Sequence, residues 1–373
     1  MSRSPLFTAV IPDYNYGRFI GQAIESVLNQ SMADFELIIV NDASTDNSDE
    51  VIRKYTGDKR VRYLINEKNS GCYYSLKRGF SEARSIYAAS LSADDFYLPD
   101  AFSAMACEAN NCPDADIIYG KYCFVNGDGY ITQWVNHPGW NQTVRSQRKS
   151  DLADLLQYDL YINITAAFVK LGLFKDYDFD RSMRVSDYEF ILQLAQDDKK
   201  FHFIDKYLLA FRCHGEQLSV GDNFYVDGTQ LKDQLTLLER YVIPKNYDRL
   251  VGADAGIIRL LDSKIQALMN YPDSAAKILP ELSSRIENVK RTIYTMNNST
   301  ISGNNVDGDN MAKPLDVQNF IGIMGTLAYE NKIPELLKYY NLYRGIFSDT
   351  GDLLKVDEMI RNLKSRLVSQ SSS

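Results

Sequence analysis

The sequence is poor in the residues that build disulfide frameworks and metal clusters. Its 373 residues include five cysteines and three histidines, and no two cysteines form a Cys-x-x-Cys pair. An odd number of cysteines without such pairs argues against a disulfide scaffold or a zinc knuckle and is typical of a reducing compartment. Any metal is therefore expected to bind mainly through oxygen ligands.

Long apolar runs and an excess of basic charge are missing as well. No segment approaches the roughly 18 to 20 apolar residues that span a bilayer, and the first residues lead into a strand-like segment without a signal-peptide pattern. This predicts no transmembrane segment and a cytoplasmic location, with peripheral attachment to a membrane left open. The 41 basic and 49 acidic residues give a net charge of −8, which excludes a general nucleic-acid binder but not nucleotide or sugar ligands.

Strands and helices alternate over the first hundred residues. Apolar runs of strand length are followed by apolar pairs at helical spacing, which predicts βαβ units and a mostly parallel sheet with helices on both faces. The predicted strands are residues 6–11, 35–40, 61–65 and 86–91. The fold class is therefore α/β, of the Rossmann-like type that binds nucleotides.

The periodicity becomes helical after about residue 223. Leu231, Leu235 and Leu238 share one helix face, as do Ile257 and Leu261. The sequence thus predicts two parts, an α/β domain over residues 1–222 and an all-α region over residues 223–373. For the second part we favour packing against the α/β domain or against a second copy of the chain in a homo-oligomer, with docking of a partner or a position near a membrane as alternatives.

Acidic side chains follow the predicted strands at the points where they end. Asp13 follows the first strand, Asp42 the second, and Asp94 with Asp95 the fourth. Ligands of open α/β sheets bind beyond the carboxyl ends of the strands, and a rim of carboxylates needs a divalent cation to bind a phosphate. The phosphate-binding patterns GxxxxGK[ST] and GxGxxG are absent. The sequence therefore predicts a diphosphate bridged by Mg²⁺ or Mn²⁺.

The segments that contain these acids form an ordered set of motifs. They are residues 9–30, residues 35–46, Ser92-Ala93-Asp94-Asp95, Ser186-Asp187-Tyr188-Glu189 and Phe211-Arg212-Cys213-His214. In this order they resemble the motifs of family 2 glycosyltransferases of the GT-A fold, and the resemblance covers roughly residues 6–220.

The resemblance implies a role for each matching residue. Those implied to bind a nucleotide-sugar donor are Pro12, Asp13, Tyr14, Asp42, Asn69, Lys77, Ser92 and Asp94. Asp95 and His214 are implied to bind Mn²⁺ or Mg²⁺, and Asp187 to be the catalytic base. Two departures from the family pattern bear on donor affinity and nucleotide choice. Ser92 stands where many relatives have an acid, and Leu76-Lys77 stands where many have Arg-Asn.

The same residues also have structural interpretations. Ser186-x-x-Glu189 fits a helix capping box, with Asp187 in the first helical turn, and we interpret Glu189 as a cap. Asp42 fits a turn, although we favour ligand binding for it. His202, in an alternating apolar run, is predicted to be structural.

The resemblance implies a metal-dependent, inverting glycosyltransferase. A UDP-sugar is the favoured donor, with GDP- and dTDP-sugars open, and the acceptor is a glycan or glycolipid of a cell-surface polysaccharide. Two other hypotheses compete with it: a non-catalytic carbohydrate-binding scaffold on a degenerate fold, and a nucleotidyltransferase that acts on sugar phosphates.

Overall fold

The computed structural model describes residues 4–140, 151–215, 217, 226–242, 247–250, 253–301 and 360–361. Over these residues the strands form one mixed sheet in the order β3-β2-β1-β4-β8-β6-β9-β5, with β7 paired to β6. The strands are β1 (Phe7–Asp13), β2 (Phe35–Asn41), β3 (Val61–Ile65), β4 (Tyr87–Ser90), β5 (Phe96–Tyr97), β6 (Ile117–Val125), β7 (Ile131–Trp134), β8 (Ala167–Lys170) and β9 (Phe201–Arg212).

One half of the sheet is parallel, as the alternating pattern predicts. β1 runs parallel to β2 and β4, and β2 runs parallel to β3. β8 is antiparallel to both β4 and β6, while β9 is parallel to β6. The carboxyl ends of β1, β2, β4, β6 and β9 therefore lie along the same edge of the sheet.

The helices cover both faces of this sheet and continue beyond it. Those that precede residue 223 are α1 (Ile20–Leu28), α2 (Ser48–Arg53), α3 (Cys72–Glu82), α4 (Ala101–Asn111), α5 (Asp151–Tyr158), α6 (Leu173–Asp176) and α7 (Ser186–Gln196). Those that follow it are α8 (Thr229–Tyr241), α9 (Tyr247–Leu250), α10 (Asp254–Met269) and α11 (Pro272–Ile301). The predicted fold class is confirmed, and so is the presence of helices in the described residues beyond 223.

The first compact unit of the chain is Met1–Met296. It contains α8 and α10, which contact each other, and α8 also contacts α7. A division of the chain at residue 222 stays a prediction. The second unit, Asn297–Ser373, is described at residues 297–301 and 360–361, and the rest of the predicted C-terminal helices lie outside the described residues.

Within the described part of the chain, no helix has both the length and the apolar character needed to cross a bilayer. All five cysteines are described, and each has a free thiol.

The backbone of α3 lies unusually close to β1. Gly79 is buried, and a Cβ atom at this position would overlap Cγ1 of Val10. This close approach fixes the position of α3, and with it the position of Cys72 at the amino end of that helix.

We expect Gly79→Ala to destabilise the protein. Alanine favours a helix over glycine by about 1 kcal/mol, but overpacking typically costs about 1–3 kcal/mol, so the clash with Val10 should dominate. Gly57→Ala is the matched control, because a Cβ there meets nothing within 4 Å. Urea unfolding of both variants measures the difference, and equal stability would contradict the close approach.

Candidate active site

The loops that follow β1 and β2 are locked together. Asn15 and Ala43 adopt left-handed backbone conformations, with φ of 62° and 60°, which non-glycine residues rarely adopt. Oδ1 of Asn15 accepts a hydrogen bond of 2.7 Å from the backbone N–H of Thr45. The N–H of Gly17 donates to Oδ2 of Asp46 at 2.8 Å. The two strand ends therefore form one rigid rim.

Asp13 is buried in this rim. Ser44 Oγ donates a 2.9 Å hydrogen bond to its Oδ2, whereas its Oδ1 is buried without a hydrogen-bond partner among the described residues. Burial raises the pKa of this carboxyl. Pro12 pairs in register with Val40 just before it, and Tyr14 after it is 40% exposed.

Both carboxylate oxygens of Asp42 accept hydrogen bonds from neighbouring residues of the protein. Its Oδ1 accepts hydrogen bonds from Asn66 Nδ2 (2.6 Å) and the Ser70 N–H (3.0 Å). Its Oδ2 accepts from the N–H groups of Ser70 (3.1 Å) and Gly71 (2.7 Å). This carboxylate therefore fastens the segment that leads into α3 to the end of β2.

Two further predicted donor residues lie near this segment. Asn69 is exposed, and its Oδ1 accepts a hydrogen bond of 3.1 Å from the Gly71 N–H. Lys77 is also exposed and forms a 2.5 Å ion pair with Asp178. Both side chains lie at the surface of the site, in contrast to the buried acids.

Asp94 and Asp95 follow β4 and are both buried. The N–H of Arg212 donates a 2.8 Å hydrogen bond to Oδ1 of Asp95, while its Oδ2 is buried without a partner among the described residues. Burial, and then the neighbouring charge of Asp94, raise the pKa of Asp95 well above its usual range. Oδ2 of Asp94 lies 3.1 Å from Nε2 of His214, and the carbonyl of Ser92 accepts from the Asp95 N–H at 3.1 Å.

These groups fit a hard divalent cation. Asp95 offers a buried carboxylate oxygen that lacks a partner among the described residues, and Oδ2 of Asp94 lies 3.1 Å from Nε2 of His214. The ligand atoms of these three described residues do not all lie within 4.8 Å of one another, so side-chain rotation would have to bring them onto one ion. A cation would offset the repulsion between the two adjacent acids. The donor set, mostly oxygen, is the one that Mg²⁺ and Mn²⁺ prefer.

Arg212 organises this acidic pair, although it is absent from the predicted site. Its Nε donates a 2.7 Å hydrogen bond to the carbonyl of Asp94. Its Nη atoms donate to the Gly127 carbonyl (2.9 Å) and to Oε1 of Gln22 (2.5 Å). The signal available in the sequence was its place at the end of a strand, two residues before His214.

Asp187 stands in the first turn of α7 and is half-buried. Its Oδ1 accepts a 2.9 Å hydrogen bond from the Tyr188 N–H. The surrounding protein raises the pKa of this carboxyl, and the charge of Asp159 adds to the effect. Asp187 is therefore a partly exposed carboxylate with a raised pKa.

Cys72 connects Asp187 with the other acids. The thiol is exposed, yet the protein around it raises its pKa to about 12, and the charges of Asp42, Asp94 and Asp187 contribute to that rise. All three carboxylates therefore lie within electrostatic range of one solvent-accessible sulfur.

A stack of aromatic rings joins α3, which begins at Cys72, to α7, which carries Asp187. Phe190 of α7 stacks on Phe179 with ring centroids 4.7 Å apart, and Phe179 stacks on Tyr73 of α3 at 5.0 Å. Because the rings are packed face to face, α7 and α3 keep a fixed separation.

The capping-box interpretation of α7 is wrong. Val185 occupies the N-cap position, and no side chain caps the helix from within. Instead Oδ2 of Asp233, on α8, accepts hydrogen bonds from the N–H groups of Arg184 (2.9 Å) and Val185 (3.3 Å). Glu189 is not a cap either, since its Oε1 accepts from the Tyr241 hydroxyl at 2.9 Å.

The fold and the acidic pair after β4 define the class of protein. A mixed sheet with buried acids at the carboxyl ends of its parallel strands, and an Asp-Asp pair suited to a cation, is the organisation of a glycosyltransferase of the GT-A fold. The family model "Glycosyl transferase family 2" matches residues 8–173. Residues 8–173 therefore match this family, in agreement with the resemblance of the motifs.

A curated relative is similar in sequence, and a solved structure is similar in fold. Hyaluronan synthase of Pasteurella multocida is 27% identical over 311 residues, which is 77% of this chain but 31% of the synthase, so the chain spans about a third of that relative. The structure of S. aureus TarS 1-349 in complex with UDP-GlcNAc has a TM-score of 0.52 at 17% identity and covers 82% of this chain and 95% of TarS.

A second solved structure has the same fold. The mannosyltransferase PcManGT from Pyrobaculum calidifontis, in complex with GDP-Man and Mn²⁺, has a TM-score of 0.50 at 12% identity. The match covers 80% of this chain and 89% of PcManGT.

We expect Asp233→Ala to loosen the start of α7. The change leaves two backbone N–H groups without their acceptor, which typically costs about 1–3 kcal/mol. Hydrogen exchange should accelerate at Arg184 and Val185, and the free energy of unfolding should fall. Asp233→Asn keeps an oxygen acceptor and should restore most of the protection. Unchanged exchange in Asp233→Ala would show that α8 does not anchor α7.

Proposed function

We propose that this protein is a metal-dependent, inverting glycosyltransferase. It transfers a sugar from a nucleotide-sugar donor, with a UDP-sugar favoured, to a hydroxyl of a glycan or glycolipid acceptor in cell-surface polysaccharide synthesis. The observation that carries the proposal is the buried Asp94–Asp95 pair after β4, in which Oδ2 of Asp95 has no hydrogen-bond partner among the described residues. This pair offers acids for a donor site, and Asp187 on α7 offers a separate carboxylate for the acceptor.

The donor half of the reaction uses the acids after β4. Asp95, with Asp94 and His214, would hold Mn²⁺ or Mg²⁺, which stabilises the negative charge that develops on the leaving diphosphate. Asp13 and the segment fastened by Asp42 lie at the neighbouring strand ends, where the nucleoside would bind.

The solved structures support the donor and metal assignments by analogy. TarS is described in complex with UDP-GlcNAc, and PcManGT in complex with GDP-Man and Mn²⁺. We favour UDP because the TarS match covers nearly all of that chain. The hyaluronan synthase relative supports a polysaccharide as the acceptor.

Asp187 would act as the base that removes the proton of the acceptor hydroxyl. Its pKa is raised by burial, and a base with a higher pKa accepts a proton more readily, provided that it remains ionised at working pH. Direct attack by the acceptor needs one such base and no covalent intermediate, which is why we propose inversion.

The remaining assignments are proposals about the whole protein. They comprise a homo-oligomer formed through the C-terminal helices and a cytoplasmic location, either free or peripheral at a membrane. Sedimentation velocity of the purified chain tests the first of these.

We expect UDP to bind in a Mn²⁺-dependent way and Asp95→Ala to lose that binding. The variant removes the buried oxygen that lacks a partner, so the cation loses a ligand. Calorimetric titration of UDP, GDP and dTDP, with and without Mn²⁺, measures the effect, and the exposed Asp34→Ala is the control.

The titration, together with an assay of pyrophosphate release, separates the competing hypotheses. Binding of none of the three nucleotides would favour the degenerate scaffold. Nucleotide binding that ignores both Mn²⁺ and Asp95 would refute the metal role. Release of pyrophosphate from a nucleoside triphosphate would favour the nucleotidyltransferase.

We expect Asp187→Asn to abolish transfer while nucleotide affinity is kept. Since burial raises the pKa of Asp187 in the folded state, its ionised form destabilises the fold at neutral pH. The variant should therefore have a higher Tm at pH 7, and the difference should shrink as the pH falls towards the ordinary value of 3.8.

The wild-type pH profile provides a second readout for Asp187. Turnover should fall as the pH falls through the raised pKa of this base, which places the acid limb above 3.8. Unchanged transfer by Asp187→Asn would remove this residue from the mechanism.

A further inference from the structure

A group of three side chains that carry potential metal ligands lies at the opposite edge of the sheet. Glu108 and Cys112 stand at the carboxyl end of α4 and just after it, and His202 is the second residue of β9. The acidic pair and Arg212 lie at the other end of β9, ten residues further on. At about 3.3 Å per residue, roughly 30 Å of strand separates the two places.

The three side chains point their ligand atoms at one another. Nε2 of His202 lies 2.9 Å from Oε2 of Glu108 and 3.8 Å from Sγ of Cys112. All three atoms lie within 4.8 Å of one another, and all three residues are half-buried. A nitrogen, a sulfur and an oxygen therefore converge on one point.

These separations match those of a tetrahedral zinc site. With a Zn–N distance of about 2.0 Å and a Zn–S distance of about 2.3 Å, ligand atoms around a tetrahedral ion lie roughly 3.3 to 3.6 Å apart. The observed 2.9 and 3.8 Å separations bracket this range. Small side-chain rotations suffice to admit the ion.

The backbone holds two of the three ligands in place. Glu108 and Cys112 are four residues apart, which puts them on the same side of the last turn of α4, and the Cys112 N–H donates to the Glu108 carbonyl at 2.8 Å. His202 lies within β9, in register with Ile118 of β6. The cluster thus joins the end of a helix to a strand of the sheet.

The acids nearby are already paired with lysines. Lys200 Nζ donates to Asp114 at 2.6 Å, and Lys170 Nζ donates to Asp116 at 3.1 Å. Glu108 instead faces His202. Among these three acids, Glu108 is therefore the one that pairs with a histidine, a residue type that can bind a metal, and not with a lysine.

We propose that Glu108, Cys112 and His202 form a zinc site. Oε2, Sγ and Nε2 would occupy three positions of the tetrahedron, and a water molecule the fourth. Thiolate and imidazole select Zn²⁺ over Mg²⁺ and Mn²⁺, whereas the acids after β4 select the harder ions. Under this proposal, Zn²⁺ binds at one end of β9, and Mg²⁺ or Mn²⁺ binds at the other end. Zinc binding would fasten the end of α4 to the sheet and stabilise the folded state.

Cobalt substitution in the full-length, untagged protein tests the site directly. Co²⁺ bound to a thiolate gives a charge-transfer band in the near ultraviolet, which an oxygen-rich site cannot give. We expect one equivalent of Co²⁺ to produce this band and one equivalent of Zn²⁺ to remove it. The band should remain in Asp95→Ala, which separates this site from the one in the proposed function.

Two variants and a matched control make the assignment specific. Cys112→Ser should abolish the band, and His202→Gln should weaken Co²⁺ binding at least about tenfold. Cys107→Ser is the control, because Cys107 lies on the same helix and its thiol is exposed. Absence of the band in the wild type, its persistence in Cys112→Ser or its loss in Cys107→Ser would overturn the proposal.

Discussion

The buried guanidinium of Arg212 is the interaction on which the arrangement of the active site depends. It donates to the Asp94 carbonyl, to the hairpin between β6 and β7 and to Gln22 of α1, while its own N–H binds Asp95. Four segments distant in sequence therefore meet at one side chain. Burying a charge is costly unless it is fully hydrogen-bonded, so these segments cannot separate without exposing or orphaning that charge.

The second structural constraint comes from helix α8, which lies beyond residue 223. Asp233 caps α7 through the backbone of Arg184 and Val185, and Tyr241 binds Glu189 on the same helix. Residues beyond 223 thus determine where α7 begins and which way Asp187 faces. The family match ends at residue 173, so the helix that carries the proposed base lies outside the matched segment and is held by helices further along the chain.

The sequence predicted the features that depend on local pattern. The parallel strands and the acids at their ends follow from apolar runs and the polar residues that close them, and the structure has both. Sequence patterns could not predict the contacts between residues that are distant along the chain. The capping box of α7 was wrong because Asp233 supplies the acceptor from 48 residues beyond Val185. The sequence placed Arg212 in a motif but could not assign its role, because its partners lie in distant segments. The Glu108–Cys112–His202 cluster was missed for the same reason, since neither α4 nor β9 alone shows its partner.

The hydrogen bonds of Asp42 have a consequence for the engineering of donor preference. Its two oxygens accept from Asn66, Ser70 and Gly71, so the strand end and the segment 66–71 behave as one part. A point substitution at Asp42 would release the whole segment before it altered any contact with a base. If the proposed donor site is right, a change of nucleotide preference would require the exchange of segment 66–71 together with Asp42, its hydrogen-bond acceptor. Exchanging one residue at a time would not be sufficient.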